Sequence, residues 1–295
     1  MATNTKTKPS TAPDRTADAL QLMAEGIKNL TSSDEWAKYL RMQACFHQYS
    51  FANTMLILAQ CPNATRVAGF KTWLKFNRAV KKGEKALWIL APRFFKSKAS
   101  ETEPTTITDG DQEDGTQGRV YFRPVPVFDL SQTEGEPLPN PIQKLRGDDG
   151  GLFARAKTWA EGWGCPVTVE DFEGTANGFY EPDRHAITVR AGMPPAQQLK
   201  TLVHELAHAH LHRDIEVYRA HRGDCELEAE STAFVVLNHF GIDAGVYSFG
   251  YVASWQGGDE AAIKSLKSSA QRIQQTAKAI IDGIAGEEAQ EALDD

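Results

Sequence analysis

The chain has 295 residues, of which 41% are hydrophobic and 24% charged, and it carries a net charge of −7. That length exceeds what one ordinary core supports and the balance is that of a folded protein, so two domains are expected and wholly disordered and membrane-spanning classes are excluded. The start, MATNTKTKPSTAPDRT, lacks the apolar stretch of a secretory signal, and Cys45, Cys61, Cys165 and Cys225 show no ligand spacing; this reads as a cytoplasmic protein with reduced thiols, no membrane segment and a disordered tail over 1–13.

Segments 16–30 and 34–60 have helical periodicity, with Ser32 or Ser33 available to cap the second and Pro62 to stop it. Tyr49, Ser50 and Asn53 place polar groups inside that otherwise apolar stretch, where a buried hydrogen-bonded cluster is the default. A short helix near Lys71–Asn77, a turn at Lys82-Gly83 and a strand over Ala86–Ala91 follow. Residues 97–118 are polar and acidic without apolar periodicity and read as an exposed loop. RVYFRPVPVFDL then resumes as two short strands broken by Pro124 and Pro126. The Pro-rich stretch 138–147 reads as a linker between a domain at 14–137 and a second at 148–295.

The second domain opens with a helix over Leu152–Trp163. The strands PVTVED, GFYE and HAITVR come next, followed by helices over 194–213 and about 225–240. A final helix at 259–285 sets Ile263, Leu266, Ala270, Ile273, Ala277, Ile280 and Ile284 on one seam. Packing on its own domain is favoured over a dimer seam, because the stripe is short and alanine-rich; a monomer is the expectation. The fold class is α+β: N-terminal helices with a small antiparallel sheet, then a small sheet with a helix bundle.

Charge is divided along the chain. Residues 1–100 hold 16 Lys and Arg against 6 Asp and Glu, a net of +10, and the remaining 195 hold 16 against 33, a net of −17. Between Arg66 and Lys98 there are ten basic residues and one acid, with Phe70, Trp73, Phe76, Trp88, Phe94 and Phe95 interleaved. Cations beside aromatic rings suit single-stranded nucleic acid, whose phosphates need charge and whose unpaired bases need a stacking face. The candidates are Arg66, Lys71, Lys75, Arg78, Lys81, Lys82 and Lys85 for phosphates, with Trp73 and Trp88 for bases. The competing reading is that the aromatics are core and the lysines a solvated face.

TLVHELAHAHLH, residues 201–212, contains HExxH at His204-Glu205-Leu206-Ala207-His208. Histidines four apart on a helix lie one above the other and can reach a single Zn²⁺, or another divalent ion such as Mn²⁺. Glu205, one residue on, can take a proton from water at the metal. Roughly one or two random chains in a hundred of this length would carry the motif, so its context must decide. A third ligand is needed, and DCELEAESTAF offers Glu226, Glu228 and Glu230. His210 and His212 read as bystanders, although His212 is placed to line the site. Tyr218 and Tyr247 are possible donors to an oxyanion, and GFYE suits the edge strand along which an extended peptide binds.

In this helix pair the spacing resembles the glutamate-zincins, the thermolysin-like and IrrE-like metallopeptidases. That resemblance implies Glu228, twenty positions after His208 and followed by Ala229, as the third ligand. Taken together, YSFANTMLILAQCPNATRVAGFKTWLKFNRAVKKGEKALWILAP, VFDLSQTEG, HELAHAHLH and ELEAESTAFVV resemble the ArdC-type antirestriction proteins of conjugative plasmids. The resemblance implies a single-stranded-DNA-binding domain followed by a zinc-metallopeptidase-like domain that protects incoming DNA from host restriction. The partners would be single-stranded DNA and a protein substrate or host restriction component. Two alternatives stand beside it: a DNA-tethered zinc protease acting on DNA-bound or regulatory proteins, and a DNA-binding module whose metal only stabilises the fold.

Overall fold

The computed structural model describes residues 15–30, 32–94, 120–138, 149–242 and 260–286. The expected tail at 1–13, the acidic loop at 97–118, all but residue 138 of the linker, Phe95 and Tyr247 lie outside these. Helix α1 (Arg15–Asn29) is followed by α2 (Ser33–Cys45) and α3 (Phe51–Gln60), so the single helix expected over 34–60 is two. The break comes from Ser50, whose hydroxyl accepts the Asn53 N–H at 3.4 Å and starts a new helix; Ser32 caps α2 by accepting from Glu35 N–H. The remaining polar residues of this stretch tie helix to sheet. Tyr49 donates to the Val67 carbonyl, and the Asn53 amide bonds both the N–H and the carbonyl of Leu90.

After β1 (Val67–Ala68) come α4 (Phe70–Lys75), β2 (Arg78–Val80), β3 (Leu87–Phe94) and β4 (Val120–Asp129). A 3-10 turn at Leu130–Gln132 then leads into β5 (Thr133–Gly135). The sheet order is β1-β4-β3, all antiparallel, and β2 pairs with β5. The two strands expected around Pro124 and Pro126 are one continuous β4, in which Pro124 faces Leu90 and Pro126 faces Trp88. Leu90 and Trp88 turn their own N–H and carbonyl groups outward, to the side-chain amides of Asn53 and Gln60. In an antiparallel ladder their partners therefore also point outward, so neither proline removes a ladder bond. On the far side β1 reaches only Phe128 and Asp129.

Asp129 closes this unit. Its carboxylate accepts from the backbone N–H groups of Thr65, Arg66 and Ser131, and Gln132 returns a bond to the Asp129 N–H. Gly135 has φ +137°, and a Cβ there would lie 2.3 Å from the Asn77 carbonyl oxygen, so only glycine fits the end of VFDLSQTEG.

Past residue 149 the order is α5 (Leu152–Gly162), β6 (Val167–Glu170), β7 (Gly178–Glu181), β8 (Ala186–Arg190) and α6 (Pro195–Leu211). Among the described residues three further helices follow: α7 (Ile215–Ala220), α8 (Arg222–His239) and α9 (Glu260–Ala285). Strand β8 is central, parallel to β6 and antiparallel to β7, which leaves β7 on an edge beside α6. The architecture is mixed α+β, as the alternation of periods predicts.

A small core under the N-terminal sheet joins Met42, Phe46, Ile57, Val67 and Ile89. The main core is shared by α1, α2, α5, α6, α8 and α9, so residues on both sides of the expected boundary at 148 pack together. Trp36 of α2 is fully buried and its indole N–H donates to Ser231 Oγ of α8 at 3.0 Å. The α9 seam from Leu266 to Ile284 is buried in that same core, against α5, α6 and α8. No described helix is long and apolar enough to cross a membrane.

Candidate metal centre

Helix α6 begins with Pro195 in its first turn and buries Leu199, Leu202, Val203 and Leu206, at spacings of three and four, against the core. That orientation turns His204 and His208 toward α8. Their Nε2 atoms are 3.1 Å apart, and the Glu226 carboxylate reaches His204 Nε2 at 3.5 Å and His208 Nε2 at 3.8 Å. One ligand atom from each of the three lies within 4.8 Å of the others. Two imidazole nitrogens and a carboxylate oxygen are a donor set for a divalent metal, and contacts of 3.1–3.8 Å are close to the edges of a tetrahedron with bonds of about 2.0–2.2 Å.

Glu226, not Glu228, is therefore the carboxylate the structure brings to the histidines. Glu228 lies about 200° further round α8. It is buried and accepts from His212 Nε2 at 3.2 Å, Ser269 Oγ at 2.6 Å and the Arg272 guanidinium. Glu230 returns to the metal side, against His204 Nδ1 at 3.4 Å and Lys200 Nζ at 3.1 Å. Helix α7, capped by Asp214, carries Tyr218, whose hydroxyl donates to Glu226 at 2.6 Å. Tyr218 thus faces the candidate ligand itself.

His212, expected as a bystander, has its Nδ1 2.9 Å from His208 Nδ1. His210 points to the opposite side of α6 and stacks on Trp163, centroids 4.0 Å apart, with Trp159 near-parallel to both at 5.6 Å from His210 and 6.0 Å from Trp163. The residues that sequence reasoning missed, Ser269 and Arg272, lie on a helix with no motif, and no local signal announces them.

The site is electrostatically tense. Burial opposes charge on His204, yet Glu226 and Glu230 against its two ring nitrogens raise it to about 9. Burial, with cationic His204 alongside, pushes His208 down. A hydrogen bond from His204 and another from Tyr218 outweigh burial and hold Glu226 below the usual carboxylate range. Burial lifts Glu205 to about 7, with Glu226 adding and His204 and the Tyr180 N–H opposing. A carboxyl in that range can both accept and release a proton near neutral pH.

Strand β7 supplies the wall beside Glu205. Arg190 N–H bonds the Asn177 carbonyl, which fixes the ladder phase so that Phe179 and Glu181 bond β8 while the backbone of Gly178 and Tyr180 faces the open edge. Helix and strand approach so closely that a Cβ on Gly178 would meet Thr201 Cγ2 at 2.6 Å and the Thr188 carbonyl oxygen at 2.8 Å.

The basic segment divides differently from its expectation. Trp73 is 0% exposed and donates from Nε1 to the Phe128 carbonyl at 2.9 Å, so it is core and offers no stacking face. Arg78 spends its guanidinium on Thr133, Gly135 and Glu136, clamping β2 to β5, and Lys81 donates to the Ser131 carbonyl at 2.8 Å. Trp88 is half-buried with the Arg15 guanidinium 3.8 Å over its ring. Arg66 is half-buried, whereas Lys71, Lys75, Lys82 and Lys85 are exposed. On α4 the exposed apolar residues are Phe70 and Leu74, each 51% exposed, beside Lys71 and Lys75.

Comparison with known proteins matches residues 18–128 to the N-terminal domain of anti-restriction factor ArdC and residues 160–238 to the IrrE N-terminal-like domain. An uncharacterized protein of Bacillus anthracis is 25% identical over 320 aligned residues, covering 96% of this chain. The chain spans about half, 54%, of that relative's length. The metal-free crystal structure of the antirestriction ArdC protein from plasmid R388 aligns with a TM-score of 0.52 at 16% identity, over 79% of this chain and 84% of that one; the two share a fold.

Proposed function

This chain carries the N-terminal domain of the anti-restriction factor ArdC followed by an IrrE N-terminal-like domain, and from that premise we propose a cytoplasmic antirestriction protein that binds single-stranded DNA and holds a divalent metal. The observation that carries the metal half is the convergence of His204 Nε2, His208 Nε2 and the Glu226 carboxylate beside buried Glu205. The two-nitrogen, one-oxygen donor set suits zinc, with manganese a second choice, and leaves a position open. For DNA the reading rests on the exposed face of α4, where Phe70 can take a base and Lys71 and Lys75 the phosphates, with Lys82 and Lys85 nearby in sequence.

Peptide hydrolysis is the second reading, favoured by Glu205 and by the open edge of β7. When bound, the metal would supply Lewis-acid polarisation of a carbonyl and a lowered water pKa. The chain's own residues supply the rest. An extended peptide would pair with the Gly178 backbone and the Tyr180 carbonyl, and Glu205, oriented by the Tyr180 N–H, would take a proton from water and return it to the leaving amine.

Conjugal transfer of DNA into a restricting host, with the wild-type protein and with Glu205→Gln, tests both readings. Protection by the wild type and its loss in the variant, with metal content equal, marks hydrolysis as part of function. Equal protection makes hydrolysis dispensable, and no protection by either removes the antirestriction role. For the DNA half, equal affinity for single-stranded and duplex oligonucleotides across a salt series would exclude the strand preference.

A further inference from the structure

His208 is joined to α9 by a continuous path of side chains. Its Nδ1 meets His212 Nδ1 at 2.9 Å; His212 Nε2 meets Glu228 Oε2 at 3.2 Å; and Glu228 is held by Ser269 Oγ at 2.6 Å and by Arg272. His212 and Glu228 are both buried, and Arg272 bridges outward to Ser268. The contacts have one consistent direction once Nε2 of His208 is reserved for a ligand bond. The His208 proton then sits on Nδ1 and donates to His212 Nδ1, which leaves the His212 proton on Nε2 to donate to Glu228. Glu228 can only accept, and its remaining lone pairs are filled by the Ser269 hydroxyl and a guanidinium that is always charged.

We infer that His212 and Glu228, anchored on α9 by Ser269 and Arg272, are positioning residues that fix the tautomer and ring orientation of His208 for metal binding. This rests on the metal site proposed above. It also assigns α9, which lies beyond the residues matched to the IrrE N-terminal-like domain, a part in building that site. A charge held behind a ligating imidazole raises its basicity, and loss of such a partner costs about 10- to 100-fold in metal affinity.

The test is titration of the full-length apo-protein with Co²⁺ and Zn²⁺, following the cobalt absorption spectrum and the dissociation constant, for the wild type, His212→Phe and Glu228→Gln. His212→Phe keeps a flat aromatic ring, slightly larger than imidazole, and deletes both bonds; Glu228→Gln keeps an acceptor and removes the charge. The expected result is stoichiometric binding by the wild type, with affinity weakened about 10- to 100-fold and a shifted cobalt spectrum in His212→Phe, and a smaller weakening in Glu228→Gln. If His212→Phe does not give a cooperative melt, the near-isosteric Glu228→Gln decides alone. Wild-type affinity and spectrum in the folded variants overturn the relay while leaving the metal site standing. Failure of the wild type itself to bind cobalt or zinc overturns the site, and the relay with it.

Discussion

Two residues along an α-helix is about 200° of rotation, and in ELEAES that rotation gives three glutamates separate surroundings. Glu226 faces the two HExxH histidines, Glu230 stands behind one of them against Lys200, and Glu228 turns into the protein to meet Arg272. The same selection operates among the aromatics of the basic segment. Trp73 and Phe70 are three residues apart, yet one is sealed against β4 and the other stands in solvent. Phe70→Ala is therefore expected to weaken single-stranded oligonucleotide binding by about 1–3 kcal/mol, the range for one lost base stack, with the melting temperature unchanged. Trp73→Ala should instead destabilise the fold by about 3–5 kcal/mol in chemical denaturation. Oligonucleotide affinity measured beside denaturation midpoints checks the pair; a Phe70→Ala protein with full affinity removes that ring from the interface. The sequence pointed to this segment by composition, but composition does not say which ring a neighbouring strand covers.

At the scale of elements, helices and strands follow from the sequence wherever one face is buried continuously. The α6 stripe and the α9 seam are examples, each legible as a spacing of three and four. The departures come where a side chain acts on a distant backbone. Nothing local in YSFANT says that Asn53 will satisfy the outer edge of β3, or that Gln60, two turns on, will do the same for Trp88. These two amides cover an edge strand that would otherwise present unpaired groups. The contact of β7 with α6 is of this kind, and it bears on the site. Gly178→Ala would force the strand off the helix at Thr201 and draw the Tyr180 N–H away from Glu205. The expected cost is about 1–3 kcal/mol of stability, with any peptidase activity falling more steeply than metal content. Denaturation and metal analysis of the purified variant measure both. A Gly178→Ala protein as stable as wild type would show that the gap relaxes at no cost.

Across the whole molecule, α2 and α3 do not merely precede the C-terminal helices but pack on them, α2 on α8 and α3 on α9. At their junction the His47 ring meets His239 at 4.4 Å, His239 Nδ1 bonds the Ala44 carbonyl, and Gln274 of α9 donates to the His47 carbonyl. Burial, with His239 adjacent, drives His47 down to about 4 against the pull of Asp282. A histidine depressed on folding contributes its stability in full above its unfolded value near 6.5. That contribution is lost as pH falls from there toward about 4, because the unfolded chain binds the proton first. His47→Phe should therefore flatten the decline in melting temperature between about pH 7 and pH 4.5 relative to wild type, whatever its effect at neutral pH. Parallel curves for the two proteins would place the titrating group elsewhere.

By itself the sequence determined the fold class, most of the longer helices and the pair of histidines on one face of α6. These are set by periods of about two and 3.6 residues and by spacing within a single helix, which act over a few residues. Only the tertiary structure decided which glutamate meets those histidines, that His212 stands behind His208, that Arg272 on α9 holds Glu228, and that Phe70 rather than Trp73 faces water. Each of these depends on the rotation of one packed helix against another. A shift of two residues there reverses the face presented, and no local propensity encodes it.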